Sequence, residues 1–252
     1  MIFIILFLFG ILTGFLGTLI GIGGGVFLIP FLFLVYQLNP QLAIGTSLFV
    51  IVFNAFSGTL AYARYKRIQY SIGLLMIIYS IPGIILGAYI SNFFNNMIFK
   101  IVFSIALILI AINLLIKKNT SLKHKDDSFT PIKLNRHKII ILLFIGLLTG
   151  FISGFLGIGG GVIHVPVLIY FLGMPVHLAT ATSHFILLNT ALLSVIPHAI
   201  MNHIDYSKGF LLGSGALIGA QIGAYISSKI SSRLIIIILS SILIIVAIKL
   251  LW

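Results

Sequence analysis

The stretch LTGFLGTLIGIGGGVFLIP, residues 12–30, returns 136 residues later as LTGFISGFLGIGGGVIHVP, residues 148–166. The same shift lays 12–91 over 148–227 without a gap. LAIGTSLF (42–49) falls on LATATSHF (178–185), and GAYIS occurs at 87–91 and again at 223–227. Self-similarity at a fixed offset is the mark of a duplicated unit. The chain therefore reads as two homologous halves, 1–116 and 139–252, joined by a polar stretch at 117–138.

Both halves are far too apolar for water. Of 252 residues, 60% are hydrophobic, 7% are charged and the mean hydropathy is +1.27. Soluble domains carry roughly a quarter charged residues. The apolar runs cover 2–36, 42–63, 72–91, 98–116, 139–172, 178–201, 210–227 and 234–252. One crossing takes about 20 residues, so six runs fit one helix each. The runs at 2–36 and 139–172 are too long, and glycines cut both. The expected fold is all-α: a polytopic membrane protein of two repeats, each with four to five transmembrane segments and a glycine-broken helix. A cleaved signal peptide is not expected at the start, where no basic residue precedes the apolar run and the run itself recurs inside the chain.

The net charge of +12 does not point to nucleic acid, because the basic residues lie between apolar runs. Seven Lys or Arg fall in 117–138, with Asp126 and Asp127. The positive-inside rule puts that linker in the cytoplasm, which makes the cell membrane the expected location. Parallel and inverted repeats both place 12 Lys and Arg on the linker side and 3 opposite, so charge does not choose. Length favours inversion. One helix through 2–36 would be about 50 Å long, against a hydrocarbon core of about 30 Å. Two shorter pieces fit better and give five segments per half.

Chemistry is expected at the breaks. Gly23, Gly24 and Gly25, with Gly159, Gly160 and Gly161, unpair backbone groups that lipid cannot satisfy. Matched breaks in two halves point to a transport site, and the N–H groups of a helix starting there favour an anion. Pro30 and Pro166 follow five residues later as sites of kinking or unwinding. Thr46 and Ser47, with Thr182, Ser183 and His184, open the next segment of each half and can donate to an oxyanion. Asn54 and Asn189, farther along, are weaker candidates. His164, His184 and His198 occupy the places of Leu28, Leu48 and Tyr62. A histidine inside a membrane is a candidate for proton coupling. No cysteine is present and no carboxylate joins these histidines, so no metal or cofactor is expected. Asp205 is expected to cap the helix that follows it. The Gly-x3-Gly stripes at 83–87, 146–154 and 215–223 are expected at close helix contacts.

With its GFLGTLIGIGGGVFLIP and GTS, its GFISGFLGIGGGVIHVP and ATS, and the duplication itself, the chain resembles the TauE/SafE (sulfite exporter-like) membrane permeases. The resemblance covers nearly everything outside the linker. It implies a secondary carrier of sulfite, organosulfonates or other small organic anions, with no enzyme activity. Ala181, in place of Gly45, and the histidines of the second half depart from the first half's pattern. Expected partners are a small anion and membrane lipid, not nucleic acid, and a homo-oligomer is compatible with the sequence. An uncoupled anion channel or uniporter is the alternative. A membrane enzyme is a third class, with no nucleophile and base set to support it.

Overall fold

The structure, a computed structural model, describes residues 2–116, 136–227 and 232–251. Every regular element among them is helical. The first half holds α1 (Ile2–Ile20), α2 (Gly25–Pro30), α3 (Pro40–Arg64), α4 (Tyr70–Ser91) and α5 (Asn96–Ile116). A π-helical turn, Phe31–Val35, extends α2 directly after Pro30. The second half holds α6 (Arg136–Leu156), α7 (Gly161–Tyr170), α8 (Val176–Ile200), α9 (Tyr206–Ile226) and α10 (Ser232–Leu251). Six of these, α1, α3, α4, α6, α8 and α9, are long and apolar enough to cross a membrane. Most of the linker, 117–135, lies outside the described residues, as do Asp126, Asp127 and His124. Its last three residues, expected to be linker, already belong to α6.

The glycines break the long runs for a conformational reason. Gly21, Gly23 and Gly24 have φ of +87°, +85° and +81°, and Gly157, Gly159 and Gly160 have +72°, +75° and +74°. Side chains bearing a Cβ rarely adopt that region. Gly24 and Gly160 are the N-caps of α2 and α7. The first break doubles the chain back, so that a Cβ added at Gly24 would stand 2.8 Å from the Thr13 carbonyl oxygen in α1. Pro30 marks a change of helix type, whereas α7 runs on past Pro166 as ordinary α-helix.

The contacts set the direction of each helix. Gly10 and Gly14 of α1 meet Leu212 and Ala216 of α9, so these two helices run parallel. Gly83 and Gly87 of α4 meet Leu147 and Phe151 of α6, again in parallel. Beside α9 lies α3, with Gly209 on Phe49 and Gly213 on Phe53. At the other end of the bundle α8 and α4 pair in the same sense, Phe185 lying on Gly73 near their starts and Met201 meeting Asn92 just past their ends. Against these, α3 and α8 are antiparallel. Gly45, near the start of α3, meets His203 just beyond the end of α8, and Gly58, near the end of α3, meets His184 near the start of α8. Thus α1, α3 and α9 point one way and α4, α6 and α8 the other. The glycine stripes carry the close contacts, with backbone against backbone where any side chain would intrude.

Asp205 caps α9. Its Oδ1 accepts from the Lys208 backbone N–H at 3.0 Å, and its Oδ2 pairs with the Lys208 ammonium. Partial burial pushes its carboxyl upward, but the hydrogen bonds and charge of Lys208 outweigh that and hold it below the usual range. Because the folded group is the stronger acid, its stabilisation is present above the unfolded pKa and is lost as pH falls through the folded value. Asp205→Ala is expected to cost about 1 kcal/mol, the usual loss of an N-cap. The difference should shrink in melts run at progressively lower pH; a constant difference would assign the effect to packing.

Candidate functional site

The two glycine breaks touch each other. A Cβ at Gly25 would sit 2.9 Å from the Ile158 Cα and 3.0 Å from the Gly157 oxygen, and one at Gly161 would sit 2.8 Å from the Gly21 oxygen and 3.0 Å from the Ile22 oxygen. Gly23 and Gly159 both rest on Ile51 and Leu187, near the middles of α3 and α8.

Hydroxyls tie each break to the opposite half. Ser47 Oγ on α3 donates to the Gly157 oxygen at 3.1 Å, and Ser183 Oγ on α8 donates to the Gly21 oxygen at 3.0 Å. A second pair reaches the break of its own half. Asn54 Nδ2 donates to the Gly23 oxygen at 2.9 Å, and the one proton of Thr190 Oγ1 is shared between the Gly159 oxygen at 3.4 Å and the Leu187 oxygen of its own helix at 3.2 Å. Thr18 Oγ1 donates to Asn54 Oδ1 at 2.6 Å and so orients the amide. These bonds satisfy carbonyls that the helix breaks would otherwise leave bare. At the opposite pole, no side chain caps Gly24 or Gly160, and the first turns of α2 and α7 begin their backbone bonding at Phe27 and Ile163. The N–H groups ahead of those turns are the electropositive ends of the two short helices.

Thr46 and Thr182 do other work. Thr46 Oγ1 accepts from the Asp205 N–H at 2.9 Å, and Thr182 Oγ1 accepts from the Gln69 N–H at 3.0 Å. Each thereby pins the loop that follows the opposite long helix. The sequence expects both threonines beside the breaks; here they stand one residue away from the serines that are. Asn189 donates to the Phe185 oxygen in its own helix at 2.8 Å, away from the breaks. Its neighbour Thr190, not singled out in the sequence, is the one that reaches the Gly159 oxygen, in addition to the Leu187 oxygen of its own helix. The shift of 136 was the available signal, since it pairs Asn54 with Thr190 and not with Asn189.

The three histidines differ. His198 Nε2 bonds the Gly154 oxygen at 3.0 Å, just as the hydroxyl of Tyr62, its counterpart, bonds the Thr18 oxygen at 3.2 Å. A carbonyl only accepts, so His198 carries its proton on Nε2. His184 faces the Thr180 oxygen through Nδ1 at 3.3 Å and lies edge-on to Tyr62, with ring centroids 5.3 Å apart. Its Nε2 is buried with no hydrogen-bond partner. His164, fully buried on the first turn of α7, has neither ring nitrogen bonded. An imidazole always holds at least one N–H, so His164 keeps an unsatisfied donor beside Gly160. No group of three or more metal-ligating side chains occurs among the described residues.

Two cavities open elsewhere. One, of about 400 Å³, is apolar and lies among α5, α6 and α7, reaching Ile158 and Val162. The other, of about 210 Å³, lies between the ends of α3 and α9. Neither separates the breaks, which are closed on each other in this conformation.

Comparison with known proteins matches nearly the whole chain to one family. Residues 6–250 fit the family described as sulfite exporter TauE/SafE. The chain is 36% identical to the "Probable membrane transporter protein YunE" of Bacillus subtilis, over 99% of this chain and 97% of that protein. It is 30% identical to "Probable membrane transporter protein YjnA" of the same organism, over 85% and 87% of the two chains. A similar protein of Methanocaldococcus jannaschii, "Probable membrane transporter protein MJ0441", is 31% identical over 65% of this chain and 60% of its own length. No solved structure matches. A family match over residues 6–250, which takes in both glycine breaks, and a relative aligned nearly end to end place this multi-pass membrane chain in the sulfite exporter TauE/SafE transporter family.

Proposed function

We propose that the chain is a secondary carrier of a small anion, such as sulfite, an organosulfonate or a related organic anion, with its site where the two glycine breaks meet. The observation that carries this is the crossed bonding of the breaks: Ser47 to Gly157 and Ser183 to Gly21. The N–H ends of two short helices converge on a place where neutral dipoles can replace an anion's hydration. The substrate class follows from the family's description and from this chemistry.

In this reading the halves are inverted repeats, and the antiparallel run of α3 and α8, equivalent under the shift of 136, supports it. The serine bonds then act as two latches at opposite faces. Ser183–Gly21 lies toward the linker side and Ser47–Gly157 toward the other, and transport alternates between opening one and the other. The linker is cytoplasmic and the protein sits in the cell membrane. Single cysteines in place of Arg64 and Lys208 test this. An impermeant thiol reagent applied outside intact cells should label position 208 and spare position 64; labelling of 208 from the cytoplasm alone would sink the inverted arrangement.

Uptake of labelled sulfite and organosulfonates into proteoliposomes, with and without an imposed pH gradient, tests the carrier. Stimulation by the gradient is expected. Asp205, the one acidic residue among those described, caps a helix outside the spans, which favours an uncoupled channel or uniporter as the second reading. Gradient-independent flux without counterflow would establish that one. Coupling is assigned to the buried histidines of the second half, His164 and His184, with His198 held to a carbonyl as a lesser candidate. Replacing His184 or His164 with glutamine is expected to flatten the pH dependence of net transport and leave anion exchange intact. An unchanged profile in both single variants and the double would return these rings to a packing role.

A further inference from the structure

The linker-side mouth of the bundle is unlike its counterpart at the other face. The cavity of about 210 Å³ there is lined by Ala61, Arg64, Tyr65, Gln221 and Tyr225. Under the shift of 136 the matching positions are Pro197, Ile200, Met201, Ile85 and Tyr89. A guanidinium and an amide at one mouth thus face isoleucines at the other. The flanking segments repeat the contrast. Residues 64–70 carry Arg64, Lys66 and Arg67, while 200–206 carry His203 and Asp205, and the carboxylate of Asp205 is neutralised by Lys208. Arg67 lies over the Tyr65 ring at 5.3 Å, which holds a second guanidinium beside the cavity wall.

Polar groups lie behind the wall of this cavity. Gln221 Nε2 donates to both the carbonyl and the hydroxyl of Ser57 at 2.9 Å, and so spans α9 and α3. Next to Ala61, buried Tyr62 reaches the Thr18 oxygen at the end of α1 and packs on the ring of His184. Three residues beyond Thr18 is Gly21, the first glycine of the break, held by Ser183. The Arg64 cavity, at the end of α3, and the linker-side latch, just past the end of α1, thus lie at the same end of these two helices.

We propose that the Arg64 cavity is the loading site for the anion on the linker side, where the guanidinium binds a sulfite or sulfonate oxyanion before it passes to the glycine breaks. This rests on the carrier reading and adds to it a residue, a place and a side. Arginine suits the role because its fork matches a planar pair of oxyanion oxygens and its charge does not titrate. The two cations nearby raise the local anion concentration at low ionic strength.

The test uses the full-length chain in sealed membrane vesicles of each orientation. A single cysteine introduced at Ser121, in a chain that has none, and probed with an impermeant thiol reagent, reports which face is exposed. The probes are labelled sulfite, sulfate and a two-carbon sulfonate. Arg64→Gln is expected to raise KM for entry from the linker side about tenfold, as loss of a charge-assisted hydrogen bond does, with KM from the opposite side unchanged. Arg64→Lys should fall between, and Ile200→Arg should lower KM from the opposite side. Added salt should raise KM from the linker side in the wild type and much less in Arg64→Gln. An unchanged KM in Arg64→Gln, or an equal change from both sides, overturns the loading site and leaves the carrier standing. Failure of the wild type to move any of the three anions overturns both.

Discussion

Alanine at Gly25 or Gly161 is expected to cut transport severely in a protein that still inserts and folds. Neither position has the positive φ of its neighbours, so alanine suits the backbone and is the better helix former. The obstacle is what the new methyl group meets. At Gly25 it would lie 2.9 Å from the Cα of Ile158 and 3.0 Å from the oxygen of Gly157; at Gly161, 2.8 Å from the oxygen of Gly21. These are backbone atoms of the opposite break and cannot rotate aside. Relief requires the two breaks to separate, which lengthens the Ser47–Gly157 and Ser183–Gly21 bonds. Overpacking of this kind costs about 1–3 kcal/mol, and the upper end corresponds to roughly a hundredfold loss in uptake per folded molecule. Gly173→Ala is the control: nothing lies within 4 Å of a Cβ there, though its φ of +67° adds some strain. Labelled-anion uptake, normalised to the monodisperse fraction, reads the result. Normal uptake in both alanine variants would remove the breaks from the transport site.

Leucine at Gly219 or Gly150 is expected to do something different, which is to dismantle the fold. A Cβ at Gly219 in α9 would stand 2.7 Å from the Phe15 nitrogen and 2.9 Å from the Ile11 carbonyl carbon of α1. At Gly150 in α6 it would stand 2.8 Å from the Ser80 carbonyl carbon and 2.9 Å from the Ser80 Cα of α4. Between transmembrane helices the attraction comes from close backbone approach, since lipid is as apolar as any side chain. A leucine therefore removes the contact itself and forces two long helices apart, at an expected cost above about 3 kcal/mol. Size-exclusion profiles in mild detergent should show aggregation, and any remaining folded fraction should melt far lower. An unchanged melting temperature in Gly219→Leu would mean that α1 and α9 do not pack as described.

The two substitutions separate roles that one residue type plays in the same chain. In the stripes, glycine is required for what lies across from it. In the breaks, Gly21, Gly23, Gly24 and their three counterparts are required for φ, and Gly25 and Gly161 for space. The sequence distinguishes these cases only partly, because spacing marks a stripe and clustering marks a break, while neither tells which glycine in a cluster bends the chain.

Much of this protein was set by local chemistry and is legible in the residues alone. Hydropathy over about 20 residues determines which segments can be membrane helices, because an unbonded backbone in lipid is too costly for anything else. Adjacent glycines determine where two of them fail, and the return of the same motif 136 residues later predicts that the failures come as a pair. Asp205, three residues ahead of Lys208, is enough to specify a cap. What the tertiary structure alone decided is which partner each polar group finds. Thr46 and Ser47 are adjacent, yet one holds the loop at Asp205 and the other the break at Gly157. His198 does the work of Tyr62, two side chains with little in common beyond an N–H or O–H that can donate to a carbonyl. The reason is geometric. A hydrogen bond is satisfied by whatever lies within about 3 Å, and because α3 and α8 run antiparallel, the nearest bare carbonyl for each serine belongs to the other half. No local pattern encodes that direction, since it follows from α1 packing along α9 and α4 along α6, contacts between residues more than half the chain apart or separated by the linker.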